Sequence, residues 1–100
     1  MSVEVKKAKT TPKIKKPKMY TCVIHNDDIT TMDFVVMAIV KVFNKSIAEA
    51  EAIMMHIHNK GAASVGLYCY DIAITRKNEV DRLARAEGFP LITTVEEAAL

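Results

Sequence analysis

No apolar run in this 100-residue chain approaches the roughly 18 to 20 residues of a membrane span. The N-terminus lacks the apolar core of a signal peptide, so the expected location is cytoplasmic. Cysteine is scarce. Cys22 and Cys69 stand alone, without CxxC or Cys-His spacing, which removes a disulfide framework and the usual zinc pattern; both read as small core hydrophobes. His56 and His58 point differently on a helix, and no HExxH pattern accompanies them. Nor does any motif set a nucleophile beside a base. The expectation is therefore a protein that is not an enzyme and holds no metal and no cofactor.

Positive charge is also scarce once the chain is divided. Residues 1–18 carry seven lysines against Glu4, a net +6, together with two of the three prolines. Residues 19–100 hold seven Lys/Arg against eleven Asp/Glu, a net −4, which argues against nucleic acid as a partner of the body. The basic segment has no regular apolar pattern to offset the entropy of ordering it, so 1–18 reads as a flexible Lys/Pro-rich tail and 19–100 as the folded domain. Half of the residues are hydrophobic, enough for one domain and not two. No long heptad or exposed-edge signal opposes a monomer.

Within the body, Met19 to His25 is rich in β-forming residues and predicts a strand. Thr30 or Thr31 suits a helix N-cap, and a helix from about Thr31 to Asn44 places Val35, Ile39, Val42 and Phe43 near one face. Ser46 and Glu49 form a capping box for a second helix to about Asn59, stopped by Gly61, with Ala50, Ile53, Met54 and Ile57 at helical spacing. Ala62 to Tyr70 predicts a second strand, in which Gly66 marks a bulge or a close backbone approach. A third helix over about Asp71 to Glu87, with Ile72, Val80 and Leu83 inward, and a short strand over Pro90 to Val95 complete the chain. This order, β-α-α-β-α-β, predicts an α+β fold: three helices packed on a three-stranded, mainly antiparallel sheet.

Asn26, Asp27 and Asp28 lie in the turn between the first strand and first helix. Two adjacent carboxylates beside an amide suit ordinary turn and capping chemistry. With His58 they also form a set of acceptors able to cradle a primary amine. Met32, Met54 and Met55 read as core packing or as an adaptable apolar surface. Magnesium at Asp27 and Asp28 lacks further spaced carboxylates.

Four stretches carry a resemblance: Met-Tyr-Thr-Cys-Val-Ile-His-Asn-Asp-Asp at 19–28, Thr-x-Met-Asp-Phe-Val at 30–35, Met-x-x-Ile-His-Asn-Lys-Gly at 54–61 and Phe-Pro-Leu at 89–91. Together they resemble ClpS, the family of adaptors that deliver N-degron substrates to the ClpAP protease. The resemblance implies that Asn26, Asp27 and His58, supported by Asp28, contact a substrate's α-amino group. It also implies a pocket for the first side chain made by Thr30, Met32, Val35, Met54, Ile57 and Leu91, with Met32 as the gate against β-branched residues. Asp71 and Arg76 match positions that dock on the N-domain of the ClpA unfoldase, and the basic tail matches the segment that engages it. Bulky first residues, Leu, Phe, Tyr or Trp, are the expected ligands. Three positions depart from the family pattern: Ile29 for a frequent tyrosine, Thr31 for a frequent proline, which slightly loosens the turn, and His25 for an aliphatic residue, adding a third histidine near the site. A rival expectation is a small binding module of the translation machinery, since the family's fold resembles the C-terminal domain of the ribosomal stalk protein. Another is a metal-dependent hydrolase built on Asp27, Asp28 and His58.

Overall fold

The computed structural model describes residues 17–99. The tail expected over 1–18 falls outside the described residues except for Pro17 and Lys18. The elements run β1 (Tyr20–His25), α1 (Met32–Phe43), α2 (Ile47–Lys60), β2 (Ala62–Tyr68), α3 (Tyr70–Ala86) and β3 (Ile92–Glu97). The strand order is β2-β1-β3, and both pairings are antiparallel. This is the predicted β-α-α-β-α-β architecture, with β1 in the centre. Among the described residues, no helix is long and apolar enough to cross a membrane.

Helix boundaries follow local chemistry. Thr31 is the N-cap of α1: its hydroxyl accepts from the Phe34 N–H at 3.2 Å, and Asn44 closes the helix in the left-handed region at φ 58°. Ser46 and Glu49 make the reciprocal capping box of α2, at 3.1 and 3.0 Å. Gly61, at φ 94°, ends α2 and donates its N–H to Ile57 O at 2.8 Å. A residue with a Cβ adopts that conformation only under strain.

The core forms where the sheet meets the helices. Cys22 and Ile24 of β1 and Val65 of β2 pack with Phe34, Val35, Ala38, Ile39, Val42 and Phe43 of α1 and with Ala50 and Ile57 of α2. Cys22 is fully buried, and its thiol donates to Ala73 O at 3.3 Å. Burial pushes that thiol up to about 11, so Cys22 stays protonated and behaves as the expected core hydrophobe.

Four expectations change. Cys69 is exposed, because it is the N-cap of α3 rather than part of β2. Tyr70 starts that helix and packs edge-on against Tyr20 at 5.1 Å. Ile72 is exposed rather than inward: the buried face of α3 is Ala73, Val80 and Ala84, whose spacings of seven and four residues keep one side toward the sheet, and Ile72 lies about 100° from it. The last strand is Ile92–Glu97, not Pro90–Val95. Residues 89–91 are held elsewhere, because Phe89 N–H bonds Ala84 O at 2.9 Å and Arg85 donates to Phe89 O at 2.7 Å and Leu91 O at 3.0 Å. Pairing with Tyr20 and Thr21 instead draws Glu97 and Glu96 into the strand.

Gly66 marks the predicted bulge, and the group that approaches it closely is a side chain rather than backbone. The β1–β2 register slips between Tyr20 and Cys22, and Gly66 sits opposite the slip at φ 77°. A Cβ there would strike the ring of Tyr68, which lies 6.4 Å from the Phe43 ring and beneath the Arg76 guanidinium. Gly66→Ala is expected to cost roughly 2 to 4 kcal/mol, from left-handed strain plus displacement of the ring. In a Tyr68→Ala background the cost should shrink to the backbone part, roughly 1 to 2 kcal/mol. Urea unfolding of the four proteins measures both, and equal costs in the two backgrounds would refute the close approach.

Candidate functional site

The turn between β1 and α1 is folded by one carboxylate. Asp27 Oδ1 accepts from the N–H groups of Ile29 and Thr30 at 2.8 and 2.7 Å, and its Oδ2 accepts from the Thr30 hydroxyl at 2.7 Å. A carboxylate offers about four acceptor positions, so one on Oδ2 remains open. Partial burial pushes the Asp27 carboxyl up, but the three hydrogen bonds from Thr30 and Ile29 outweigh it and hold the carboxyl below its ordinary value. Turn chemistry and an acceptor site are therefore the same residue. Thr30, expected as a pocket wall, spends its hydroxyl on Asp27. Ile29 acts through its backbone, with its side chain 65% exposed, so its departure from tyrosine leaves the turn intact.

Backbone pairing brings this turn to the end of α2. His25 pairs with Ala62, and the Asn26 N–H donates to Gly61 O at 2.8 Å. His58 lies three residues before Gly61, on the last turn of α2. Asn26, Asp28 and His58 are exposed, and among the described residues no hydrogen bond engages their side chains. Asn26, Asp27, Asp28 and His58 thus share one end of the molecule.

The residues expected to take the first side chain are mostly core. Val35, Ile57 and Leu91 belong to the buried core, and Met54 packs against it. Met32 is 43% exposed at the start of α1. Leu91, distant in sequence, is held by the Arg85 grip on the carbonyls at 89 and 91 and by the edge-on packing of Phe89 against Phe34 at 5.1 Å. Sequence reasoning missed Arg85; a cation in the last turn of α3 was the available signal.

The remaining departures are also explained. Thr31, in the place of a frequent proline, caps α1 through its hydroxyl. His25 points to the sheet face opposite the core, where its Nε2 lies 2.9 Å from Thr94 Oγ1. The Thr94 hydroxyl donates to Glu96 at 3.1 Å, which leaves Nε2 as the donor to Thr94.

Asp71 and Arg76 lie elsewhere. They sit on the first turns of α3, at the end of the sheet where Tyr20 pairs with Tyr68, and both are exposed. β1 separates that end from Asn26 by roughly 17 Å. Among the described residues, no group of three or more His, Cys, Asp or Glu could hold a metal.

Fold and site define a small α+β protein with a pre-folded acidic turn and a buried apolar core. Residues 15–94 match the family model described as ATP-dependent Clp protease adaptor protein ClpS. The ATP-dependent Clp protease adapter protein ClpS of Clostridium acetobutylicum is 49% identical over 85 residues, spanning 85% of this chain and 84% of that one. The protein of that name from Desulforapulum autotrophicum is 45% identical over 95 residues, spanning 91% of each. Among solved structures, Agrobacterium tumefaciens ClpS2 bound to L-phenylalaninamide is 36% identical, with a TM-score of 0.80 over 83% of this chain and all of that one. The chain belongs to the ClpS family. It is an adaptor, not an enzyme.

Because the native Asp27 value is depressed, its contribution to stability is present above the unfolded aspartate value of about 3.9 and is lost as pH falls through the native value. Thr30→Val should move the Asp27 titration upward, toward the ordinary range. Carboxyl NMR titration reads this directly; an unmoved midpoint would show that the hydroxyl does not hold the carboxylate.

Proposed function

We propose that this adaptor binds the free α-amino group and bulky first residue of N-degron substrates, Leu, Phe, Tyr or Trp, and delivers them to the ClpA-type unfoldase of the ClpAP protease in the cytoplasm. The observation that carries the reading is the Asp27 turn: a carboxylate already bonded to its own backbone, with one acceptor position left, beside the open heads of Asn26, Asp28 and His58. An ammonium supplies the donors and positive charge such a group lacks. The adjoining apolar residues Met32, Val35, Met54, Ile57 and Leu91 suit the first side chain, and Thr30 serves by holding Asp27. The likeness to a ClpS2 structure holding a phenylalanine amide supports the same chemistry.

Neither half suffices alone. A charge-assisted hydrogen bond contributes about 1.5 to 3 kcal/mol, and burying a Leu or Phe side chain about 1.5 to 3 kcal/mol. Association costs offset much of the sum, so affinity is expected in the roughly micromolar range and requires both features.

Asp71 and Arg76 are the docking residues for the unfoldase N-domain in this reading. Arg76 stands over the Tyr68 ring at 5.9 Å, which steadies a long side chain that otherwise roams. Their distance from the turn lets a monomeric adaptor hold substrate at one end and unfoldase at the other.

Fluorescence anisotropy with peptides differing only in the first residue and its amine tests the pocket. A free-amine Leu peptide is expected to bind with a roughly micromolar Kd, and its acetylated form and the Val peptide at least about tenfold more weakly. Equal binding of free and acetylated peptides removes the amine cradle. Met32→Ala should admit Val and Ile at the first position by widening the mouth. If the variant rejects them as strongly as the native protein does, Met32 is not the gate.

A further inference from the structure

A groove of about 430 Å³ runs along the outer seam of α1 and α2. Val36, Met37 and Val40 line it from α1 and Ile47 from α2, with Asp33, Lys41 and Glu51 as its charged residues. Met37 and Ile47 are 39% and 64% exposed, an apolar surface with nothing over it among the described residues. The groove contains none of the residues assigned to the first side chain, yet both of its walls lead there. On α1, Met32, Val36 and Val40 follow at intervals of four, so they stack along one face. On α2, Ile47 and Glu51 are followed one turn later by Met54 and Met55. Of the apolar residues assigned to the proposed pocket, Met32 and Met54 are the two that are not buried, and each lies one helical turn from a groove residue, Val36 and Glu51.

We infer that this groove seats the substrate residues that follow the first, so that the adaptor reads an apolar stretch beyond the N-terminal residue. The inference rests on the proposed pocket. Met32 to Val40 covers about 12 Å of helix axis, room for about three or four residues of extended chain at ~3.3 Å each. A chain whose first side chain lies between Met32 and Met54 reaches this seam without turning away from apolar surface. Its third to fifth residues then cover Val36, Met37, Val40 and Ile47.

Calorimetry with two ligands on two proteins tests this. The ligands are Leu-Ala amide and a six-residue amide, Leu-Ala-Leu-Val-Leu-Lys; the proteins are the native chain and the double variant Met37→Ser/Ile47→Ser, whose altered side chains are exposed and outside the first-residue pocket. The native protein is expected to bind the longer peptide about tenfold more tightly, as partial burial of one or two further aliphatic side chains predicts. In the variant that advantage should fall below about twofold, with binding of Leu-Ala amide unchanged. An advantage that survives in the variant, or is missing from the native protein, overturns the groove while leaving the pocket standing. If neither peptide binds the native protein, the pocket fails and the groove with it. Sedimentation of both proteins covers the other occupant: a dimer of the native chain that the variant loses, with the peptide ratio unchanged, makes the seam a self-association face and overturns the proposal.

Discussion

The constraint on which the site depends is the set of hydrogen bonds that Asp27 makes to its own turn. A reversal between a buried strand and a helix leaves backbone N–H groups without partners, and a carboxylate two or three residues upstream satisfies them. Here that satisfaction is incomplete in a useful way. Three donors occupy a group with about four acceptor positions, and the depressed Asp27 value keeps it ionised across the physiological range. Those bonds fold the turn without a ligand, which in the proposed reading spares amine binding the cost of ordering the loop.

A second tie makes the turn part of the fold. The Asn26 N–H reaches the carbonyl of Gly61, the residue that stops α2 in a left-handed conformation. With the pairing of His25 and Ala62, that bond makes the end of β1 and the end of α2 a single corner, and His58 arrives there because it lies on the last turn of the helix. The floor has a separate anchor. Arg85 grips the carbonyls of Phe89 and Leu91, so a loop after α3 presents Leu91 to residues contributed by α1 and α2. Three segments far apart in sequence therefore supply the residues of the proposed site, positioned by two backbone devices, a helix stop and an arginine grip.

The opposite end of the sheet is built differently. Gly66 admits a bulge and leaves room for the Tyr68 ring, which packs beside Phe43 and carries Arg76 on its outer face. Tyr70 closes against Tyr20 next to it. Aromatic packing orders this end and hydrogen bonding to a carboxylate orders the other, with the six residues of β1 as the spacer between them. In the proposed reading the two ends hold separate partners, and β1, paired on both sides along its length, sets the distance between them.

Much of this was legible without coordinates. The capping box at Ser46 and Glu49, the stop at Gly61 and the bulge at Gly66 are local: each depends on a few adjacent residues whose backbone chemistry has few alternatives. The same holds for α1, whose apolar spacing left Val35, Ile39, Val42 and Phe43 a single buried face. What could not be read was decided by packing between distant segments. Ile72 looked inward by hydropathy, but the approach of α3 to the sheet selects the smaller Ala73 and Ala84. Cys69 resembled strand continuation, whereas α3 begins one residue after it. β3 is displaced because Arg85 and Ala84 claim residues 89–91 and because Tyr20 and Thr21 supply partners for two glutamates that have little intrinsic strand preference. The motif stretches in the sequence determined the family and the residues to watch. Only the tertiary structure joined the Asn26 turn to the end of α2, since that meeting rests on the β1–β2 register, which sets His25 against Ala62 and ends in a backbone hydrogen bond between residues 35 positions apart, a pairing that side-chain pattern does not encode.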